Sequence, residues 1–292
     1  MKIQKSYKES QFGKLYLVPT PIGNLNDMTF RAIETLKSVA IIASEDTRNT
    51  QKLLNHFGIE TKQTNLHEHN INQKKESLIE ELLKGHSIAQ VSDAGMPSIS
   101  DPGHELVLAA IEKGISVISL PGATAGVTAL IASGLPAQPF YFYGFLPRKS
   151  KEQQTVLQEL MKIDGTIIFY ESPHRVLKTL LNIKTVSPED TNVVLSRELS
   201  KLHEEYVRGS IDEMVSYFEE NQIKGECCLL VSWPSQKELR EQFDPDLSVV
   251  SHVKQLIEHD NKSSKDAIKE VAKLRGIKKQ DVYKEYHSNE NP

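Results

Sequence analysis

The sequence predicts an α/β protein with two α/β domains and a small helical appendage, and three observations carry that expectation. Five strand-then-helix units follow one another from Leu15 to Ser133, the order that builds a parallel sheet with helices on both faces. From Phe140 to Trp233 strands recur more closely, as in a mixed sheet. Past a polar stretch, three short helical segments close the chain. With 292 residues, 38% hydrophobic and 25% charged, the chain has the length for two cores and a globular balance.

The first dozen residues are polar and are expected to fray. Leu15–Val18 reads as a strand, broken at once by Pro19, Pro21 and Gly23, which shape a loop rather than a plain connection. Thr29 to Val39 has helical spacing, with Ile33 and Leu36 inward, and Ala40–Ser44 is the next strand. Asp46 or Thr47 can cap the helix that runs through Leu53 and Leu54 towards Gly58. Thr61–Leu66 is a short strand, and Ser77–Lys84 a helix ended by Gly85. Ser87–Val91 and Ser116–Leu120 complete the strands of this half, followed by helices over His104–Lys113 and up to Ser133.

The second half alternates in the same way. Phe140–Phe145, Thr166–Tyr170, Asn192–Leu195, Glu204–Val207 and Glu226–Trp233 read as extended. Lys151–Ile163, a segment ending at Ile183, and Ile211–Glu220 read as helices. Val249–His259, Ser263–Leu274 and Lys279–Tyr286 are the three terminal helices, with Gly276 as a turn. The expected organisation is therefore a flexible N-terminus (1–13), an N-terminal α/β domain (14–136), a C-terminal α/β domain (137–235), a linker (236–247), a helical domain (248–287) and a tail (288–292).

A net charge of −4 argues against a chain that coats nucleic acid through bulk charge, but leaves room for a local patch. Between Lys262 and Lys284 eight basic residues stand against three acidic ones, and Lys262, Lys265, Lys269 and Lys273 fall on one helix face. Such a stripe either contacts phosphates or is a solvated face. Cys227 and Cys228 are adjacent, a spacing that strains a disulfide, and no spaced Cys/His set suggests zinc. A reducing, cytoplasmic setting without metal is expected. No secretory signal is read, and no apolar run approaches the ~20 residues that span a bilayer.

The stretch Val91–Gly103 carries two glycines, two prolines, two aspartates and three serines between a strand and a helix. Plain connections there usually take about two to six residues. A stiff wall of backbone at the carboxyl end of a strand is where open α/β sheets bind ligands. Neither a G-x-G-x-x-G after the first strand nor a G-x-x-x-x-G-K-[ST] is present. Three loops rich in small residues and proline (Pro19–Leu25, Asp93–Gly103, Pro121–Gly126) are instead suited to enclosing a compact ligand.

Several longer motifs identify a resemblance. They are Val18-Pro19-Thr20-Pro21-Ile22-Gly23-Asn24-Leu25, Ser44-Glu45-Asp46-Thr47-Arg48, His67-Glu68-His69-Asn70, and Ser92-Asp93-Ala94-Gly95 with Pro97 and Ile99-Ser100-Asp101-Pro102-Gly103. Gly144-Phe145-Leu146-Pro147-Arg148-Lys149, Phe169-Tyr170-Glu171-Ser172-Pro173-His174-Arg175 and the run Arg197 to Glu205 continue the series. From Leu15 to Trp233 the chain resembles the bacterial ribosomal RNA small-subunit methyltransferase I family, in the tetrapyrrole-methylase-like class (class III) of S-adenosylmethionine enzymes. Its helical tail is similar to that family's C-terminal helix-turn-helix piece.

The resemblance implies two α/β domains of the tetrapyrrole methylase type with S-adenosyl-L-methionine in the cleft between them. It implies 2′-O-methylation of a cytidine ribose in 16S rRNA near the decoding centre, by a homodimer acting on the small ribosomal subunit. Carried over by position, donor contacts come from Pro21, from Asp93, Gly95, Met96, Pro97, Ile99 and Ser100, from Thr124 and Ala125, and from Phe169, Tyr170 and Leu199. Relatives commonly have threonine where this chain has Met96, so a hydroxyl is lost there.

A ribose hydroxyl is a weak nucleophile until its proton leaves, so a base or a stabilising cation is expected near it. Glu45, Asp46 and Arg48 form one candidate cluster, Glu171, His174 and Arg175 a second, and Arg197, Glu198 and Lys201 a third. Each has a plainer use: Asp46 as a helix cap, Glu171 with Arg175 as an i,i+4 ion pair. Arg148, Lys149 and Lys151 are better suited to holding RNA phosphates, as is the Lys262–Lys273 stripe. Two alternatives stand beside this reading. One is methylation of a porphyrin- or corrin-type tetrapyrrole on the same fold, and the other is a non-catalytic RNA-binding ribosome-assembly factor.

Overall fold

The computed structural model describes residues 1–8, 10–67, 70–101, 103–188, 190–234, 247–258 and 263–288. Glu68, His69, Pro102, Lys262 and the linker positions up to 246 lie outside the described residues, as does the side chain of Lys273.

Five parallel strands form the first sheet: β1 (Leu15–Leu17), β2 (Ile41–Ser44), β3 (Gln63–Asn65), β4 (Ile88–Val91) and β5 (Val117–Ser119), in the order β3-β2-β4-β1-β5. Every residue of β4 is buried, as a central parallel strand covered on both faces requires. On one face α1 (Phe30–Ser38) and α2 (Thr47–His56) bury Ala32, Leu36 and Leu54 against Val18, Ile42 and Ala89. On the other, α3 (Ile71–Leu83) and α4 (His104–Glu112) bury Leu78, Leu82 and Leu106 against Leu15 and Ile88. Each buried Leu, Ile or Val among them contributes about 1.5–3 kcal/mol by leaving water.

The chain after β1 turns to one side of the sheet and the chain after β4 to the other, so β1 and β4 flank a topological switch point. Their two loops meet there: Thr20 and Gly95 exchange both backbone hydrogen bonds at 3.0 Å. Helix α3 begins at Ile71 rather than Ser77. Ile71 is buried beside Leu78, but the polar residues after it face outward and hide the helical period. The polar N-terminus meets the edge strand through Gln4, whose amide donates to Val117 O and accepts from Val117 N (2.8 and 2.9 Å). That cover blunts an open sheet edge.

The second sheet is mixed, in the order β6-β7-β10-β8-β9. It consists of β6 (Phe140–Phe145), β7 (Thr166–Glu171), β8 (Asn192–Arg197), β9 (Glu205–Ser210) and β10 (Cys227–Ser232), of which only the β6–β7 pair is parallel. Helices α6 (Ser150–Leu160), α7 (Val176–Val186) and α8 (Ile211–Glu220) cover one face with a core around Phe169, Leu180 and Leu229. Ser210 and Glu213 close α8 with a capping box. The opposite face is covered by α5 (Ala125–Ser133), the helix that follows β5: Ala129 and Leu130 pack on Ile168, Val194 and Leu230. The helix of the fifth unit therefore serves the second sheet and ties the lobes together. Gly126 lets it lie close, since a Cβ there would stand 3.4 Å from Ile168 and Phe142.

Helices α9 (Val249–Glu258), α10 (Ser264–Arg275) and α11 (Lys279–Ser288) form a separate bundle whose core (Val253, Ala267, Ile268, Val271, Val282, Tyr286) comes from these helices alone. Among the described residues no helix is long and apolar enough to cross a membrane.

Candidate functional site

A cavity of about 450 Å³ opens between the two lobes, within the roughly 300–1,000 Å³ of small-molecule sites. Ile22, from the loop after β1, forms one wall. Ala94, Gly95, Met96, Ile99, Ser100 and Asp101 come from the loop after β4, and Thr124 and Ala125 from the start of α5. The second lobe supplies Phe145, then Tyr170 to Pro173, Leu199, and the run Gly225 to Cys228.

Backbone shape places these groups. Gly95 holds φ +79, a conformation closed to most side chains, and Ile22 and Ala123 O lie 3.4 and 3.6 Å from where its Cβ would be. A bulge between Phe142 and Gly144 (φ +84) shifts the β6 register, so that Phe145 pairs with Tyr170 and faces the cavity. Their rings lie 5.8 Å apart. Glu198 and Ser200 adopt φ 52 and 69, strain worth about 1–3 kcal/mol each, in the turn that presents Leu199.

Eight of the sequence-predicted donor contacts line this cavity: Gly95, Met96, Ile99, Ser100, Thr124, Ala125, Tyr170 and Leu199. Four do not. Pro97 is buried within the loop after β4, and Phe169 is fully buried on the opposite face of β7, in the α6–α8 core. Pro21 and Asp93 line a neighbouring hollow of about 240 Å³, together with Asn49, Lys52 and Ser92. There Asp93 accepts from the Asp46 backbone N–H (3.2 Å) and the Asn49 side chain (2.9 Å).

The three candidate catalytic clusters separate. Asp46 caps α2 and is gripped by Arg48 through Nε and Nη2 (3.1 and 2.8 Å), which holds its carboxyl down at about 2. Glu45 adjoins them at the same helix start. None of the three lines the larger cavity. Glu171 does, but its side chain is 1% exposed and fully engaged. It accepts from Ser172 N (2.8 Å) and Thr179 Oγ1 (2.7 Å), and Arg175 Nε stands at 3.3 Å. Arg175 also donates to the carbonyls of Leu146 and Pro147, holding the start of the Arg148–Lys151 loop. His174 is exposed. Arg197 pairs with Glu205 at 2.9 Å. Glu198 accepts from Glu226 N and Lys201 Nζ, which keeps its carboxyl below the usual range.

Arg148, Lys149 and Lys151 are exposed at one rim of the second lobe, and Lys265 and Lys269 are exposed on α10. Lys149 is paired with Glu152 at 3.0 Å.

Sequence reasoning missed Ile22, Ala94, Asp101, Phe145, Ser172, Pro173 and Gly225 to Cys228 as site residues. Most sit inside motifs already singled out, so proximity was a usable signal. Gly225 to Cys228 had none: they reach the cavity because β10 threads between β7 and β8, which places Cys227 opposite both Glu171 and Arg197. Burial pushes the Cys227 and Cys228 thiols up to about 11 and 12, so both stay protonated and are poor nucleophiles.

The lining contains three carboxylates (Asp101, Glu171, Glu226) and, among the described residues, no Lys, Arg or His. It is apolar, acidic and rich in backbone and hydroxyl groups, which suits a ligand carrying positive charge and disfavours a phosphate-bearing one. No group of three or more His, Cys, Asp or Glu among the described residues could hold a metal ion.

Residues 14–215 match the family described as Tetrapyrrole (Corrin/Porphyrin) Methylases. The chain is 53% identical over 288 residues to the ribosomal RNA small subunit methyltransferase I of Streptococcus pyogenes serotype M3, covering 98% of this chain and 99% of that protein. Among solved structures it is similar to a cobalamin biosynthetic enzyme, cobalt precorrin-4 methyltransferase (TM-score 0.58, 18% identity, 75% of this chain and 95% of that one). It is also similar to a uroporphyrin-III C-methyl transferase from Thermus thermophilus complexed with S-adenyl homocysteine (TM-score 0.52, 16% identity, 75% and 97%).

Proposed function

The chain belongs to the tetrapyrrole (corrin/porphyrin) methylases and, within them, to the ribosomal RNA small subunit methyltransferase I family, and we propose that it methylates the 2′-oxygen of a cytidine ribose in 16S rRNA near the decoding centre. The methyl donor is S-adenosylmethionine, and the enzyme works in the cytoplasm as a homodimer. The observation that carries this reading is the carboxylate-lined cavity, free of cationic side chains among the described residues, at the switch point between β1 and β4. Its volume, its acidic lining and the cradle at Gly95 fit a compact cationic ligand. S-Adenosylmethionine supplies an electrophilic methyl group on a positively charged sulfur.

The chain's own residues then have distinct tasks. Gly95, Met96, Ile99 and Ser100 wall the ligand from the first lobe, and Tyr170 and Leu199 from the second. Holding two reactants in line accounts for much of such an acceleration, and the interlobe contacts keep these walls together. Lys201 lies over Gly23, where a Cβ would stand 2.4 Å from its Cγ, and Ser200 Oγ hydrogen-bonds Asp27. Arg148, Lys149 and Lys151 hold RNA phosphates at the rim, and the α9–α11 bundle adds Lys265 and Lys269.

Incubation with labelled donor and small ribosomal subunits tests the reading. The label is expected on one ribose of 16S rRNA; label on a base, or on a tetrapyrrole and not on RNA, overturns it. Deleting Ser248 to Pro292 is expected to weaken RNA binding and flatten its salt dependence while donor affinity, measured by calorimetry, stays within about twofold. Equal loss of both would make the bundle a structural part of the lobes.

A further inference from the structure

Resting on that reading, we propose that Asp27 and Ser200 are positioning residues: the hydrogen bond between them clasps the loop after β1 to the turn between β8 and β9, and so holds Ile22 and Leu199 against the bound donor. The turn lies in the Arg197–Glu205 motif and is braced within its own lobe. Glu198 and Ser200 keep positive φ (52 and 69) because their neighbours fix them there. Glu198 Oε1 accepts from the Glu226 backbone N–H (2.9 Å) and from Lys201 Nζ (3.0 Å). Glu204 accepts from the Ser200 backbone N–H (2.7 Å), and Lys201 Nζ also meets Glu226 at 3.0 Å. These bonds engage the Glu198 carboxylate and the Lys201 ammonium in holding the turn's shape.

Three consecutive residues of the braced turn meet the first lobe. Leu199, 7% exposed, belongs to the apolar cluster that Ile22 packs against, and both line the cavity. The Lys201 stem lies on Gly23, where an added Cβ would overlap its Cγ. Between them, Ser200 Oγ donates to the Asp27 carboxylate. Asp27 is itself held in place, at the end of the short 3-10 turn Leu25–Asp27. Asn24 Oδ1 accepts from the Asn26 N–H and Asn24 O from the Asp27 N–H, both at 3.0 Å. Arg208 also crosses between the lobes, donating to the carbonyls of Ala132 (2.7 Å) and Ser133 (3.0 Å). Those bonds end on α5, which already rests on the second sheet, and do not hold the loop after β1. The Ser200–Asp27 bond does hold that loop, and a bond to a carboxylate is stronger than one between neutral groups.

Full-length wild type, Asp27→Ala, Asp27→Asn, Ser200→Ala and the double variant D27A/S200A are compared in three measurements. These are S-adenosylhomocysteine affinity by calorimetry, melting temperature of the ligand-free protein, and steady-state methyl transfer to small ribosomal subunits. Asp27 is exposed and Ser200 half-buried, and neither side chain belongs to a hydrophobic core. The ligand-free melting temperature is therefore expected to stay within about 3 °C of wild type. Affinity is expected to fall about three- to tenfold in D27A and in S200A, as for one exposed hydrogen bond to a charged group. D27N keeps an oxygen that accepts from Ser200 and should lose less. The double variant should lose no more than either single one, because both remove the same bond. The KM for the donor rises with the loss of affinity, while the KM for the small subunit stays unchanged. Unchanged affinity overturns the proposal, as do single losses that add in the double variant or D27N being as damaging as D27A. A melting temperature lowered in step with affinity makes the pair merely structural and overturns it too. A wild type that binds S-adenosylhomocysteine but methylates no RNA sinks the acceptor reading alone, and the affinities still decide the clasp. A wild type that binds none sinks both.

Discussion

Replacing Phe169 by alanine is expected to destabilise the protein by about 3–5 kcal/mol, the range for emptying a large aromatic side chain from a packed core. Phe169 is fully buried among the core residues under α6, α7 and α8, and its ring lies 5.9 Å from that of Tyr143. Molecules that remain folded are expected to bind S-adenosylhomocysteine normally, because the side chain points away from the cavity. The neighbouring substitution, Tyr170→Ala, is expected to behave in the opposite way. Tyr170 lines the cavity and stacks edge-on with Phe142 at 4.9 Å, so its loss removes a wall. Ligand affinity should fall roughly tenfold, the equivalent of about 1.4 kcal/mol, with a smaller cost in stability. Denaturant titration and calorimetry on the two variants check the contrast. Equal effects on both quantities would mean that β7 does not present its faces as described.

Gly103→Ala is expected to damage the central loop and the helix behind it. Gly103 adopts φ +130, and an added Cβ would stand 2.0 Å from Nε2 of Gln90, a side chain only 1% exposed. Gln90 cannot swing into solvent, and its Nε2 donates to Ser98 Oγ at 2.8 Å, a bond that shapes the loop around its left-handed Ser98. Backbone strain of about 1–3 kcal/mol and a disrupted buried hydrogen bond of about 1–3 kcal/mol act together. The expected result is a melting temperature lowered by several degrees and product affinity reduced at least severalfold. The double variant G103A/Q90A relieves the clash but not the strain, so it should recover part of the stability. Full recovery would show that φ at 103 is not constrained.

Much of this molecule was legible in the chain. Phe140–Phe145 and Ile211–Glu220 were placed at their observed bounds, because the signals there, such as the aromatic run of Phe140–Phe145, are local. The parallel character of the first sheet followed from strand and helix alternation, and the proline- and glycine-rich stretch after Val91 correctly announced a built loop. Longer motifs went further and identified the family. The errors have local causes: α3 was started late because its first turn turns polar residues outward, and β8 was cut short at Leu195 although pairing on both sides carries it to Arg197.

Residue spacing alone therefore determined which strands and helices form and in what order, where the chain stiffens, and which chemical groups lie near one another along it. Tertiary structure decided which of those groups share a cavity. It set Tyr170 and Phe145 on the ligand side and Phe169 on the other, sent α5 across to the second sheet, and brought Cys227 beside Glu171 through a strand far away in sequence. Among the described residues it also paired Asp46, Glu171 and Glu198 with cations. The reason is physical: helix and strand periods are fixed by neighbours within a few residues, whereas register and facing are fixed by which distant segment fills the other side of the hydrogen-bond ladder.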